Sequence, residues 1–186
     1  IIIVNWTTVS DTVECLESLR EITYPSHDVI VVDNGSSGDD VRILRERFSG
    51  YAMVIQNDRN YGFAEGCNIG MRHALRTSSP AYLLLLNNDT VVSPGFLNEL
   101  VAVAEADHST GILGPKVLYH DRDGRNDVVW FTGGGIRWWH PKIWQFLNLA
   151  GDDPKPIEVD WVSGAAMLIR ASVIDRISLL DPGYFF

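Results

Sequence analysis

The sequence predicts an α/β fold: an open, mostly parallel sheet flanked by helices, with a mixed-sheet extension. Two patterns lead there. Residues 1–106 contain four short, almost continuously apolar runs, Ile1–Val4, Val29–Val32, Met53–Ile55 and Tyr82–Leu86. Runs of that kind suit strands covered on both faces. Stretches of helical length alternate with them, and β-α-β-α-β-α-β-α calls for a doubly wound sheet with right-handed crossovers.

The elements follow in order. Asp11 with Glu14 reads as a capping box that opens a helix running to about Ile22. Residues 39–48 and 65–76 are the next two helical stretches. Ser93 before Pro94 reads as an N-cap with proline at the first helical position, opening a helix to about Ala106. Beyond residue 107 the pattern changes to strands at Gly111–Tyr119, Val128–Trp138 and Ile157–Arg170, a surface loop over 139–156, and a short helix at Ala171–Ile177. The whole of 1–186 reads as one domain, with 1–106 as a nucleotide-binding half and 107–186 as the start of an acceptor half.

Composition removes several classes of function. A net charge of −9 with 15 scattered Lys and Arg argues against a nucleic-acid partner. No apolar run approaches the roughly 20 residues of a membrane span, and no signal peptide is evident. Two cysteines, Cys15 and Cys67, make neither a disulfide framework nor a zinc site, suit a reducing cytosol, and read as small buried hydrophobes. The five histidines show no metal-binding spacing. The opening on Ile1 without an initiator Met suggests an excised piece of a longer chain.

In open α/β sheets ligands bind beyond the carboxyl ends of the strands. Those ends carry Asn5-Trp6-Thr7-Thr8, Asp33-Asn34-Gly35-Ser36-Ser37, Asn57 to Phe63, and Asn87-Asn88-Asp89-Thr90. Neither a dinucleotide Gly-x-Gly-x-x-Gly nor a P-loop is present. Gly62, Gly66 and Gly70 recur every four residues, which allows close approach of a ligand or tight helix packing.

Taken in order, Ile1–Trp6, Val31-Val32-Asp33-Asn34-Gly35-Ser36, Asn60-Tyr61-Gly62-Phe63-Ala64-Glu65-Gly66-Cys67-Asn68-Ile69-Gly70, Leu86 to Thr90, Trp161 to Arg170 and Leu180 to Phe186 resemble the family 2 glycosyltransferases of GT-A (Rossmann-like) fold, and within them the bacterial rhamnosyltransferase-like members. The resemblance spans nearly the whole chain and is weakest over 120–160.

It implies an inverting transfer of a hexose, rhamnose among the options, from a dTDP- or UDP-linked nucleoside diphosphate sugar to the hydroxyl of a saccharide or lipid-linked acceptor, in cell-surface polysaccharide synthesis. Asp33 would accept a hydrogen bond from the pyrimidine ring N–H, as an acceptor-only carboxylate can; the alternative is an Asx-turn. Asp89 would bind a divalent cation, Mg²⁺ or Mn²⁺, that bridges the diphosphate; the alternative is a helix cap. Asn87 stands where the family carries the first acid of its Asp-x-Asp motif, so it can bond a sugar hydroxyl but adds no charge. Asn5, Trp6, Asn34, Gly62, Asn68 and Asn88 complete the expected nucleotide site, with Trp6 equally readable as core and Glu65 as a cap. Ser163, Gly164 and Ala165 match the segment lining the donor-sugar and acceptor pocket, where small residues also pack tightly. Trp130, Phe131, Trp138, Trp139, Trp144 and Trp161 read as core before acceptor groove.

The family's catalytic base lies a few residues after its Gly-Tyr-Phe-Phe, which corresponds to positions beyond Phe186, so no residue of this chain is nominated and 1–186 alone is expected to be inactive. The location implied is cytoplasmic, free or peripheral at the inner face of the cell membrane. The rival readings are a non-catalytic nucleotide-sugar-binding domain and a nucleotidyltransferase, though the latter would want a glycine-rich basic loop where Asn5-Trp6-Thr7-Thr8 stands.

Overall fold

The computed structural model describes residues 1–137, 139, 142–146 and 155–185. Its first half runs β1 (Ile2–Asn5), α1 (Val9–Arg20), β2 (Val29–Asp33), α2 (Asp40–Arg47), β3 (Ala52–Gln56), α3 (Phe63–Thr77), β4 (Tyr82–Asn87) and α4 (Phe96–Ala106). Then come β5 (Ile112–Leu113), β6 (Val117–Leu118), β7 (Val129–Phe131), β8 (Gly134–Arg137), β9 (Lys142–Gln145), β10 (Ala166–Arg170) and α5 (Ala171–Ile177). The main sheet has six strands in the order β3-β2-β1-β4-β10-β5. The first four are parallel to one another, and β10 is antiparallel to both β4 and β5.

Alternation along these strands feeds two apolar layers. Ile3, Val31, Leu84 and Leu86 face Leu16 and Leu19 of α1, Leu44 of α2 and Leu97 and Leu100 of α4. Ile2, Ile30, Val32, Leu83 and Leu85 face Cys67, Met71 and Ala74 of α3. Both cysteines are free and buried, as expected of small hydrophobes, and burial pushes each thiol up to about 12.

Several sequence expectations need correction. The Asp11–Glu14 capping box is not formed. Helix α1 opens at Val9 with Thr8 as N-cap, so Asp11 sits within its first turn. Helix α4 opens at Phe96, two residues later than Pro94 implied, because Ser93 to Phe96 first closes a turn. The strand expected over Gly111–Tyr119 is split into β5 and β6 around Gly114-Pro115-Lys116, where proline has no N–H to give a ladder. The strand expected over Val128–Trp138 breaks at Gly133, whose φ is +139°, and Trp138 lies outside the described residues. Over Ile157–Arg170 only Ala166–Arg170 is regular. Part of the loop expected at 139–156 is a strand, β9, paired to β8 from Arg137↔Lys142 to Gly134↔Gln145; positions 140, 141 and 147–154 lie outside the described residues.

The four-residue glycine spacing is mostly a packing device. A Cβ at Gly70 would come within 2.6 Å of Ile2 Cγ2 and 3.2 Å of Val32 Cγ2, and one at Gly66 within 3.0 Å of Val4 Cγ1. Their absence lets α3 lie directly on β1 and β2.

Gly70→Ala weighs two opposing effects. Alanine gains about 1 kcal/mol of helix propensity over glycine, but overpacking against a β-branched methyl costs about 1–3 kcal/mol. We expect net destabilisation, read as a lower urea midpoint. An unchanged or higher midpoint would show that α3 can move off β1 at no cost.

Candidate active site at the strand ends

Strand order reverses between β1 and β4, so the crevice beyond their carboxyl ends is where this sheet should hold a ligand. Asn5, at the end of β1, is fully buried. Its amide donates to Asp33 Oδ2 at 2.7 Å, Asp40 Oδ2 at 3.0 Å and Ser36 Oγ at 3.2 Å. Its carbonyl accepts from Thr12 Oγ1 at 2.6 Å. With its side chain bonded inward, Asn5 bears on the edge through Asp33.

Asp33 is also fully buried and forms the Asx-turn weighed above. Oδ1 accepts from the Ser36 amide at 3.0 Å, and Oδ2 accepts from Ser36 Oγ at 2.6 Å as well as from Asn5. A carboxylate offers about four lone-pair sites. Three are used, and one on Oδ1 remains.

Asn34 is tied to the loop before α3. Its amide donates to the Gly62 carbonyl at 3.0 Å, and its Oδ1 accepts from Asn57 at 2.8 Å. Gly35, at φ +75°, lets this turn lie against the backbone of Arg59. Gly62 also has positive φ, but the group that approaches it is the chain's own Phe185 carbonyl, which accepts from Phe63 N at 2.7 Å. Asn68 is buried and clamps the backbone of Leu180, giving a bond to its carbonyl at 2.8 Å and taking one from its N–H at 3.0 Å. Glu65 is neither a cap nor free: burial alone would raise its pKa, but bonds from Arg72 and Asn68 hold it below the usual value.

The end of β4 is different. Asn88 donates to Thr8 Oγ1 at 2.7 Å and Thr12 Oγ1 at 3.0 Å. The side chains of Asn87, half-buried, and Asp89, exposed, make no hydrogen bond among the described residues. The Asn87 backbone receives Thr90 Oγ1 on its carbonyl at 2.6 Å and gives its N–H to Ala165 O at 2.9 Å. That last bond brings the Ser163–Ala165 turn, held by Ala165 N to Ser163 Oγ at 3.1 Å, against the same strand end. Trp6 is 52% exposed beside them, so it is not core.

The structure therefore gathers Trp6, Asn87, Asp89 and Ser163–Ala165 at one edge, with Asp33 behind it. It turns the side chains of Asn5, Asn34 and Asn68 to intrachain partners. A cavity of about 260 Å³ at this edge is lined by Asp11, Glu14, Asp89, Thr90 and Val91. A larger groove, about 1070 Å³, lies at the opposite, amino-end edge near Tyr24, His27, Met53 and His73, away from the polar strand ends.

The profile described as Glycosyl transferase family 2 matches residues 1–178. The chain belongs to glycosyltransferase family 2. It is 26% identical over 186 residues to a low-salt glycan biosynthesis hexosyltransferase of Haloferax volcanii, covering all of this chain and 56% of that protein. It is 23% identical over 188 residues to the N-acetylglucosaminyl-diphospho-decaprenol L-rhamnosyltransferase of Mycobacterium tuberculosis, covering 91% of this chain and 60% of that one. The chain thus spans between about half and 60% of these curated relatives. Among solved structures, S. aureus TarS in complex with UDP superposes with TM-score 0.68 at 16% identity, covering 99% of this chain and 50% of that one. The Pyrobaculum calidifontis mannosyltransferase in complex with GDP-Man and Mn²⁺ gives 0.66 at 16% identity, covering 97% and 46%. The fold of this family 2 glycosyltransferase is therefore GT-A.

Whether a divalent cation fits can be judged from the donor set. Among the described residues no three His, Cys, Asp or Glu side chains form a ready-made metal cage. Asp89 offers one carboxylate free of protein hydrogen bonds, and hard cations accept one protein carboxylate when phosphate and water oxygens fill the shell. The residues fit a cation held jointly with a diphosphate.

Sequence reasoning missed Thr12 and Asp40, gave Thr8 and Ser36 a place at the strand ends but no individual role, and read Asp11 and Glu14 only as a cap. The signal for Thr8 and Thr12 was their spacing of four, which places both hydroxyls on one side of α1 beneath the strand end.

Asn68→Ala leaves both polar groups of Leu180 unpaired. We expect a loss of about 1–3 kcal/mol in stability and faster amide exchange at Leu180, measured by hydrogen–deuterium exchange. Unchanged exchange at Leu180 with weakened UDP binding would instead make Asn68 a ligand residue.

Proposed function

We propose that this chain is the donor-binding part of an inverting hexosyltransferase of cell-surface polysaccharide synthesis, rhamnose being one candidate sugar. The observation that carries this reading is the free, exposed Asp89 carboxylate at the β4 end, set beside Asn87 and the Ser163–Ala165 turn. Family membership supports it.

In this reading the nucleoside lies over the β1 and β2 ends, with Trp6 alongside and Asp33 aligned by Asn5 and Ser36 toward a pyrimidine N–H. Asn87 and the small residues of 163–165 border the sugar. Asp89 would hold a Mg²⁺ or Mn²⁺ ion, which offsets charge on the departing diphosphate. The acceptor hydroxyl oxygen bonds to the anomeric carbon as the bond to the diphosphate breaks, and a base takes the hydroxyl proton. The acceptor is a saccharide or a lipid-linked sugar, the latter in keeping with the printed name of the mycobacterial relative. Residues 1–186 form one domain, a donor half over 1–106 and the first part of an acceptor half over 107–186, working in the cytoplasm or at the inner face of the membrane. Residues 1–186 alone would bind donor without transferring sugar, and we assign the base to none of them.

If Asp89 shares its cation with the diphosphate, UDP and dTDP should bind more tightly with Mn²⁺ or Mg²⁺ than with EDTA, measured by calorimetry. Asp89→Ala should abolish that difference and leave the thermal midpoint nearly unchanged, since an exposed turn carboxylate without protein bonds contributes little to folding. Equal affinity with and without metal in the unmodified protein would remove the cation from the reading.

Base recognition is tested separately. Asp33→Asn should weaken UDP and dTDP binding by about 1–3 kcal/mol with the metal effect retained. The Pyrobaculum neighbour is in complex with a guanosine donor, so the fold does not itself exclude purines. GDP binding here as tightly as UDP would contradict the role given to Asp33.

A further inference from the structure

We infer that the β8–β9 hairpin is a docking element for an anionic lipid surface. The chain carries 24 acidic residues among 186, yet residues 128–151 contain none. The same stretch holds four of the six tryptophans and the cations Arg137 and Lys142. In a protein of net charge −9, an anionic surface would repel such a segment less than it repels the acidic average of the chain.

The structure shows how the hairpin is presented. Its base is pinned to the body. Gly134 N gives a bond to Trp161 O at 3.2 Å, Asp160 N to Gly134 O at 2.9 Å, and Ile136 N to Asp160 Oδ2 at 2.8 Å. The Trp161 ring lies so close to Gly134 that any side chain there would collide with it, and it packs on Phe131 with centroids 4.8 Å apart. These contacts assign Trp161 and Phe131 to the interior.

The far end is the reverse. Trp139 is 89% exposed and Ile143 68% exposed, and Arg137 pairs with Lys142 across the last described rung. Among the described residues Asp160 is the acid in hydrogen-bond contact with the hairpin backbone; it meets Ile136 N, one rung before Arg137↔Lys142, and that bond occupies one of its carboxylate oxygens. Large exposed apolar groups beside cations, on a stem bonded to the body, match the interfacial pattern: aromatic and aliphatic groups enter the headgroup layer while Arg and Lys meet lipid phosphates.

The position also serves the proposed reaction. Trp161, bonded to the hairpin base, and Ala165, bonded to Asn87, are four residues apart, a span of at most about 14 Å. The base of the hairpin therefore lies within that distance of the strand-end edge. The inference rests on the lipid-linked form of the acceptor reading for its purpose, whereas the binding itself requires no donor.

The test is co-sedimentation of the purified protein with vesicles of phosphatidylcholine alone and with 30% phosphatidylglycerol, without nucleotide. Calorimetric UDP binding is measured on every variant. Selective binding to the anionic vesicles is expected, falling about tenfold in each of W139A/I143A and R137Q/K142Q and weakening at high salt, with UDP affinity unchanged. No preference for anionic vesicles, or variants that bind them as the unmodified protein does, would overturn the inference. So would hairpin variants that abolish self-association in sedimentation velocity while vesicle binding persists, since the hairpin would then meet a second copy of the chain. Failure here with UDP binding intact leaves the donor reading standing, and the reverse result separates the two equally well.

Discussion

The carboxamide of Asn5 is where the ends of β1, β2, α1 and α2 are held in register. Through two N–H groups and one carbonyl it touches Asp33, Ser36, Asp40 and Thr12, and Thr12 passes the connection on to Asn88 at the end of β4. The two buried carboxylates are tolerable there because polar donors face them; without such donors, burying them would be costly. Everything on the ligand edge inherits its position from this cluster. The Asp33 turn, the loop it rests on through Gly35, and the β4 ending all hang from groups at most two bonds removed from Asn5.

This division of labour separates two kinds of polar residue at the strand ends. Asn5, Asn34, Asn68 and Asn88 spend their amides on the protein itself. Trp6, Asn87 and Asp89 keep side-chain capacity on the open side. An acidic chain offering a diphosphate an edge with Asp11, Glu14 and Asp89 would repel it unless a cation intervened. The amino end of α3, where an anion would otherwise find free N–H groups, already has the Phe185 carbonyl on its first N–H. Both observations support the proposed placement of a diphosphate with a cation at Asp89 over a placement at a helix terminus.

How much of this could be read beforehand depended on the kind of signal. The parallel half was legible because strands covered on both faces leave nearly unbroken apolar runs, and those runs located β1 to β4 to within a residue or two at each end. Helix starts were less so. Asp11 and Glu14 have capping-box spacing, but Thr8 three residues earlier is the N-cap, and local pattern does not rank two competing caps. Beyond residue 107, strands of two to five residues depend on pairing partners distant in sequence, which periodicity cannot supply. At the site, Asp89 stood out as an acid with no local duty. The buried asparagines did not, because a carboxamide satisfied by a carbonyl 112 residues away looks in sequence like one awaiting a ligand.

That same contact between Asn68 and Leu180 has a consequence during synthesis. At about 5–20 residues per second, the ribosome needs roughly 6–22 s to deliver the 112 residues that separate the partners, and β1 to β4 with their helices are made before Leu180 is added. Through that interval a buried amide on the α3 face, together with the apolar side chains around it, stays open to water. The first half of the chain therefore emerges with one flank unsealed until the later residues arrive.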